Sequence, residues 1–157
     1  MRMLLIICVI LASCLSAFSA ELRGKVVKVI DGDSIVVLDE LDLVKFRVRL
    51  DRIDAPERSQ PFGREAAAGL RELVLNQTVK VRFTKIDRYA RLTGVIFLNG
   101  CEINLLMVQA GLAWHYQYYD STREYAEAQQ QARLRKIGLW QADDPIPPYQ
   151  WRKKKRR

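Results

Sequence analysis

The sequence predicts an α+β fold, a five-stranded β-barrel of OB type with three α-helices. Two observations support this prediction. Five short segments have strand-like patterns, and a helical segment separates the third from the fourth, which is the order expected of such a barrel. The chain of 157 residues suits one domain, and its apolar fraction of 49% is sufficient for a core.

The predicted strands are indicated by periodicity and by the turns between them. Two segments rich in Val and Ile, 22–30 and 34–38, are separated by an Asp-Gly-Asp turn, which predicts a hairpin. Residues 44–50 alternate apolar and basic side chains, as a strand with one buried face does. The fourth and fifth predicted strands are residues 79–83 and 92–98.

Three segments carry helical signals. Residues 63–75 have an apolar stripe at helical spacing. Residues 105–110 lie between Asn104, a favoured N-cap type, and Gly111, a favoured terminator. A Ser-Thr-Arg-Glu capping-box pattern opens the third predicted helix, which covers 121–136.

The first 19 residues are typical of an export signal. Arg2 precedes an apolar run of about ten residues that is followed by small residues. The run is short for a membrane span, which takes about 20 residues. Small residues at 17 and 19 suit cleavage before Ala20, whereas the Leu-Ala-Ser-Cys stretch ending at Cys14 resembles a lipobox that would anchor the protein through a lipidated Cys14. We favour simple export, to the periplasm or the medium, because the apolar stretch before Cys14 is short for a lipoprotein.

The net charge of +8 is concentrated at the end of the chain. Residues 152–157 are six consecutive Lys or Arg, and without them and Arg2 the body has 19 basic and 18 acidic residues. A basic total suggests a polyanionic partner, but a near-neutral body needs evidence of its own. We expect 20–141 to form the barrel domain, and 142–157 to run as a proline-containing extended segment into a basic tail.

Several kinds of catalytic site are excluded by composition. One histidine, His115, and three cysteines are too few for a Cys₄ or His₃ zinc site. Carboxylates are plentiful, so catalysis is expected to use Asp and Glu with a hard metal ion or water. We expect His115 to have a structural role, and Trp114 and Trp140 to be packing residues.

Carboxylates and arginines concentrate in three clusters, at 31–34, 49–57 and 87–91. Each cluster alone is compatible with an ordinary turn or loop. Their joint arrangement is more informative, because antiparallel pairing places Asp33 and Asp54 at the same end of the barrel. Together with a free backbone carbonyl, such as that of Ala55, they would form a small all-oxygen site suited to Ca²⁺.

The neighbouring charged residues suit attack on a phosphodiester. Glu57 follows Asp54 closely enough to orient or deprotonate a water molecule next to the metal. The guanidinium groups of Arg49 and Arg91 can hold a phosphodiester and its transition state. These are the components of phosphodiester hydrolysis without histidine.

Over roughly residues 22–141 the chain resembles the staphylococcal nuclease family. The resemblance lies in several ordered motifs: Val-Ile-Asp-Gly-Asp-Ser, Val-Arg-Leu-x-x-Ile-Asp-Ala-Pro-Glu, Asp-Arg-Tyr-x-Arg, Gln-Ala-Gly-Leu-Ala and Gly-Leu-Trp. It implies the following roles: Ca²⁺ bound by Asp33, Asp54 and the Ala55 carbonyl, with Asp31 supporting these ligands; Arg49 and Arg91 on the phosphate; and Glu57 as the general base.

The resemblance also indicates residues that bind the substrate. Arg88 and Tyr89 match positions that contact the terminal phosphate of a bound nucleotide. Tyr116 and Tyr119 are our choices among the following aromatics for stacking on bases. Ala90 departs from the pattern, since Gly is usual there, and a positive φ at this position would shift Arg91 and slow the reaction.

We therefore expect an exported Ca²⁺-dependent nuclease that hydrolyses DNA and RNA and prefers unstacked bases. The alternative is an OB-fold module that binds nucleic acid without cleaving it. A degenerate module would be expected to lack some of Asp33, Arg49, Asp54, Glu57 and Arg91, all of which are present. Nothing in the sequence indicates a stable protein partner, so we expect a monomer, attached to a membrane only if Cys14 is lipidated.

Overall fold

A computed structural model of the protein describes residues 20–155. The predicted signal segment, with Cys14, lies outside these residues. The strands are β1 (Ala20–Asp31), β2 (Ser34–Asp39), β3 (Lys45–Leu50), β4 (Ile53–Asp54), β5 (Thr78–Ile86), β6 (Leu92–Leu98), β7 (Cys101–Glu102) and β8 (Trp114–His115). The helices are α1 (Gly63–Val74), α2 (Ile103–Gln109), α3 (Arg123–Leu134) and α4 (Pro148–Lys155), with a 3₁₀ turn at Gly138–Gln141.

The main sheet closes into a barrel. Its strand order is β3-β2-β1-β5-β6-β7, and an additional parallel pairing of β3 with β6 closes the ring. The other pairings in the ring are antiparallel. The five strands predicted from the sequence are the five strands of this ring, which confirms the α+β barrel prediction.

The barrel interior is filled by alternate residues of these strands. Val26, Ile35, Val37, Val48 and Leu50 are all fully buried. Burial of such side chains is the main stabilising term for a domain of this size. The alternation predicted for residues 44–50 therefore holds at positions 48 and 50, whereas Val44 lies ahead of β3 and is exposed.

The three predicted helices are present, but two of their predicted caps are wrong. Asn104 lies inside α2 and is fully buried. Its Oδ1 accepts a hydrogen bond from Ile96 N at 3.0 Å, and its Nδ2 donates to the carbonyls of Asp51 (2.9 Å) and Gly94 (3.2 Å). Asn104 thus ties α2 to the barrel, because buried backbone groups there need partners.

The start of α3 is fixed by Asp120, which precedes the predicted capping box at 121–124. Thr122 is the N-cap residue, and its side chain makes no capping hydrogen bond. Instead, Thr122 Oγ1 donates to Asp120 Oδ1 at 2.6 Å, and Asp120 Oδ2 lies 2.8 Å from His115 Nε2. His115 is buried in this network, away from the main cleft, in agreement with a structural role.

The prediction for the segment after Trp140 is partly wrong. Residues 148–155 form helix α4 rather than an extended chain. A proline at the first position of a helix is favourable, since its missing N–H has no partner to lose there and its fixed φ suits the helix. Pro148, taken from the sequence as a sign of extended chain, is instead the first residue of α4.

Trp114 and Trp140 pack against each other edge to face, with ring centroids 4.4 Å apart, which confirms that they are packing residues. Arg133 lies over both rings, at 5.0 and 4.3 Å from their centroids. Within residues 20–155, no helix has the length and apolar character needed to cross a bilayer.

Candidate active site

The hairpin turn between β1 and β2 positions the first carboxylate. Asp33 Oδ2 accepts a hydrogen bond from Ala55 N at 2.8 Å, and the carboxylate of Asp31 accepts one from Asp33 N at 3.1 Å. Between them, Gly32 has no room for a side chain, because a Cβ there would lie 2.7 Å from the Cβ atoms of Ala55 and Ala66. The turn can therefore pack directly against α1 and the loop that follows β4.

Arg49 connects the two carboxylates that the sequence placed at one barrel end. It lies on β3 opposite Ser34, the first residue of β2. Its Nη2 is 3.1 Å from Asp33 Oδ2 and 3.3 Å from Asp54 Oδ1, and its Nη1 donates to Leu50 O at 2.6 Å. The structure thus brings Asp33, Asp54 and Arg49 together.

These carboxylates are largely withdrawn from water. The Asp54 side chain is 2% exposed. Burial raises the pKa of Asp54 above its ordinary value, although hydrogen bonds from Arg152 oppose this effect. Burial, together with the nearby charge of Asp33, raises the pKa of Asp31 to about 6. Burial and mutual repulsion thus disfavour the charged forms of these carboxylates, and a neighbouring cation favours them.

Glu57 lies in the tight turn that leads into α1. Its backbone N donates to Gln60 Oε1 at 3.2 Å, and its carbonyl accepts from Gln60 N at 2.8 Å. A Cβ on Gly63 would lie 1.8 Å from this carbonyl oxygen, so the turn requires glycine at position 63. The Glu57 side chain is 38% exposed and can therefore reach solvent in the cleft.

Arg91 is held by the loop between β5 and β6. Its Nε and Nη2 each lie 2.8 Å from Asp87 Oδ2, and its backbone N donates to Asp87 Oδ1 at 3.0 Å. Partial burial alone would raise the pKa of Asp87, but these hydrogen bonds bring it below its ordinary value. In the same loop, Arg88 Nη2 donates to Tyr89 Oη at 2.8 Å.

One open cleft of about 760 Å³ is lined by every residue predicted to bind the metal, bind the substrate or take part in catalysis. Tyr116 and Tyr119 lie on one side of it and contact each other edge to face, with ring centroids 4.9 Å apart. Tyr119 is 68% exposed and Tyr89 53% exposed, so both rings are accessible to a ligand. The ten predicted residues in the cleft are Asp33, Arg49, Asp54, Ala55, Glu57, Arg88, Tyr89, Arg91, Tyr116 and Tyr119.

The donor atoms suit a hard cation rather than zinc. Within residues 20–155, no group of three or more His, Cys, Asp or Glu side chains is arranged to hold a metal ion. A metal at this site would therefore depend on Asp33, Asp54, the Ala55 carbonyl and water. Such a set consists of oxygen atoms alone, which is the chemistry that Ca²⁺ prefers. The residues thus fit the predicted cation.

Sequence reasoning missed Arg152, which contacts two of the predicted site carboxylates in the cleft. Its Nη2 lies 3.0 Å from Asp54 Oδ2, and its Nη1 donates to Glu57 Oε1 at 2.9 Å. Partial burial alone would lower the pKa of the Arg152 guanidinium, but the contacts with Asp54 and Glu57 together raise it above its ordinary value. Arg152 is the first of six consecutive basic residues, and no pattern in that run distinguishes it from the others.

Comparison with known proteins agrees with this geometry. The family model described as staphylococcal nuclease homologue matches residues 47–142. The chain belongs to the staphylococcal nuclease family. An uncharacterized endonuclease of Escherichia coli O157:H7 is 42% identical over 137 residues, which cover 87% of this chain and 88% of that protein. The micrococcal nuclease of Shigella flexneri is 38% identical over 145 residues, 85% of this chain and 82% of the relative.

More distant organisms also contain similar proteins. A staphylococcal-like nuclease of Arabidopsis thaliana is 42% identical over 118 residues, which are 75% of this chain but only 36% of the plant protein. In the plant protein, the similar region is therefore one part of a longer chain. In the bacterial relatives, it covers most of the chain.

In this staphylococcal nuclease family member, the Arg91 loop contains a residue with a left-handed backbone conformation. Ala90 adopts φ 56°, a left-handed conformation that favours glycine. The structure thus has the positive φ that the sequence led us to consider at this position. Ala90 N nevertheless donates to Asp87 O at 3.0 Å, so the loop still closes.

Proposed function

We propose that this protein is a Ca²⁺-dependent nuclease that hydrolyses phosphodiester bonds in DNA and RNA. Its membership of the staphylococcal nuclease family supports nuclease activity. The observation that carries the finer proposal is the cleft itself, which combines the carboxylates of Asp33, Asp54 and Glu57 with the guanidinium groups of Arg49 and Arg91.

The proposed metal ligands are Asp33, Asp54 and the carbonyl of Ala55. A bound Ca²⁺ would supply positive charge to polarise a phosphate oxygen and to offset charge that develops in the transition state. Arg49 contacts both carboxylates, so it would hold them in place while its guanidinium borders the cleft.

Glu57 is the proposed general base. Its side chain is accessible to solvent and close to the buried carboxylates, so it can accept a proton from a water molecule as that water attacks phosphorus. The new P–O bond forms as the bond to one sugar oxygen breaks. Arg49 and Arg91 would hold the non-bridging oxygens, on which negative charge increases.

The substrate would enter along the tyrosines that line the cleft. Arg88 and Tyr89 are proposed to bind a phosphate, and Tyr116 and Tyr119 to contact bases. Stacking on an aromatic ring does not depend on the identity of the base, so this surface suits single strands of either nucleic acid. Double-stranded substrate would have to fray before its bases could reach the tyrosines.

A nuclease assay with controlled metal tests the proposal. The purified protein should degrade single-stranded DNA and RNA in Ca²⁺, degrade duplex DNA more slowly, and stop when a chelator is added. Equal activity with chelator would contradict the metal assignment. Binding of nucleic acid without cleavage in Ca²⁺ would instead indicate the alternative, a non-catalytic OB-fold module.

We also propose that the protein is exported. The support lies in residues 1–19, whose charge and apolar pattern are those of a signal peptide. Recovery of the mature protein from the periplasm or medium, starting near Ala20, is the expected result. Recovery from membranes that is lost on Cys14→Ser would indicate the lipoprotein route.

A further inference from the structure

Helix α4 folds back onto the carboxylates of the cleft. Both oxygens of Asp54 accept hydrogen bonds from Arg152, Oδ1 from Nη1 at 3.1 Å and Oδ2 from Nη2 at 3.0 Å. The same Nη1 donates to Glu57 Oε1 at 2.9 Å. A paired guanidinium contact of this kind is among the strongest hydrogen-bonded ion pairs in proteins.

Further contacts hold α4 in this position. Lys155 Nζ donates to Ser59 Oγ at 3.1 Å, in the loop just after Glu57. Gln60, which is buried, donates from Nε2 to Ile146 O at 2.6 Å, ahead of the helix. Pro148, at the start of α4, is also buried. The helix is therefore anchored to the Glu57 loop at both its ends.

The contact resolves an imbalance of charge in the cleft. Asp54 is almost fully buried, and a buried carboxylate is costly unless it is paired. Asp33 and Glu57 add further negative charge, which Arg49 offsets in part. Either the guanidinium of Arg152 on α4 or a divalent cation can supply the positive charge that the buried carboxylate needs.

The Arg152 guanidinium and a divalent cation would bind the same carboxylate oxygens of the cleft. Oδ1 of Asp54 already accepts hydrogen bonds from Arg152 and Arg49, and Oδ2 accepts one from Arg152. A metal ion ligated by Asp54 needs one of these oxygens. It would also lie beside a like-charged guanidinium. The Arg152 contact therefore competes with ligation of a metal by Asp54.

We propose that α4 is an internal competitor for the divalent cation, with Arg152 bound to Asp54 and Glu57 in the metal-free protein and displaced when the metal binds. This inference rests on the proposed function, since it concerns the same carboxylates. Under this proposal, binding of the metal and release of α4 are coupled. It also means that the free protein holds its general base in an ion pair until Ca²⁺ arrives.

The first test measures Ca²⁺ binding by calorimetry on the wild type and on Arg152→Gln. The variant should bind Ca²⁺ more tightly, by roughly 5- to 150-fold, which is the usual range of coupling between two binding events. Lys154→Gln is the matched control, because it removes the same charge from the exposed side of the same helix. The control should bind Ca²⁺ as the wild type does.

Each other result has a separate meaning. Equal or weaker Ca²⁺ binding by Arg152→Gln would overturn the competition while leaving the metal site intact. An equal gain in Lys154→Gln would also overturn it, because a general charge effect would then explain the gain. Failure of the wild type and the variants alike to bind Ca²⁺ would overturn the metal assignment and the competition with it.

The second test does not depend on a variant. Hydrogen exchange of the α4 amides in the wild type should become faster when Ca²⁺ is added, because the helix loses its contacts with Asp54 and Glu57. Exchange that stays the same or slows would show that α4 remains in place beside the metal, which contradicts the proposal.

Discussion

Glu57 combines an exposed carboxylate with a rigid backbone. Its turn is closed by Gln60 and by the absence of a side chain on Gly63, so contacts within the turn fix the backbone that carries Glu57. A proton acceptor must be held within hydrogen-bonding reach of the attacking water, and a rigid turn supplies that geometry.

Glu57→Gln should reduce nuclease turnover by about 10²- to 10⁴-fold, the usual contribution of a general base. The variant keeps the size of the side chain but has no basic carboxylate. Initial rates at saturating DNA, together with circular dichroism to check the fold, measure the effect. Glu65→Gln, on the exposed face of α1, is the control and should leave the rate unchanged. A near-normal rate for Glu57→Gln would remove the residue from the mechanism.

Ala90, which precedes Arg91, is a residue at which local conformation and amino-acid type disagree, because it has a positive φ. With φ 56°, its Cβ is crowded by its own backbone, at a cost of about 1 kcal/mol relative to glycine. The hydrogen bonds from Tyr89 N and Arg91 N to Asp87 Oδ1 hold the loop in this conformation.

Ala90→Gly should raise the free energy of unfolding by up to about 1 kcal/mol, because relief of strain outweighs the greater flexibility of glycine in the unfolded chain. Urea unfolding measures the change. Ala142→Gly is the matched control, since Ala142 has φ −71° and glycine there relieves no strain, so it should not stabilise the protein. An Ala90→Gly protein less stable than the wild type would contradict this interpretation.

At the scale of the elements, the positions of strands were easier to predict than the ends of helices. The alternation of apolar with basic residues at 44–50 depends only on one buried face, and β3 covers all of this segment except its first residue. Caps depend on which polar group happens to lie nearby in the folded chain. Asn104 has the right type for a cap, yet its amide satisfies the buried groups of β6 and of Asp51 instead.

Asp120 organises the start of α3 and the loop that carries Tyr119. Its carboxylate accepts hydrogen bonds from Thr122 Oγ1 and Thr122 N, and it contacts His115. Partial burial would raise the pKa of Asp120, but these hydrogen bonds and the one with His115 lower it below its ordinary value.

Asp120→Asn should destabilise the protein by about 1–2 kcal/mol at neutral pH, since an amide has one acceptor oxygen in place of two. Because the pKa of Asp120 is lowered in the folded state, its stabilising contribution is present at neutral pH and is lost as the pH falls through that lowered value. The difference from the wild type in urea unfolding should therefore shrink in acid. Asp143→Asn, at an exposed position, should show neither effect.

At the scale of the whole molecule, closure of the barrel assembles the site. The parallel pairing of β3 with β6 places Arg49 beside Thr93, and it brings the strand that follows Arg91 to the strand that carries Arg49. Two guanidinium groups from distant parts of the sequence thereby line one cleft. The fold of α4 against the same cleft adds the guanidinium of Arg152, from the segment that sequence reasoning treated as a tail.

The amino-acid sequence by itself determined the five strands of the barrel, three of the helices and ten residues of the cleft, because periodicity, turn residues and motif order are local properties of the chain. Only the tertiary structure decided the position of Arg152. Six consecutive basic residues are equivalent in sequence, and the buried, negatively charged Asp54 that binds one of them is 98 residues away. Long-range pairing of this kind depends on the geometry of the folded chain, which no local pattern encodes.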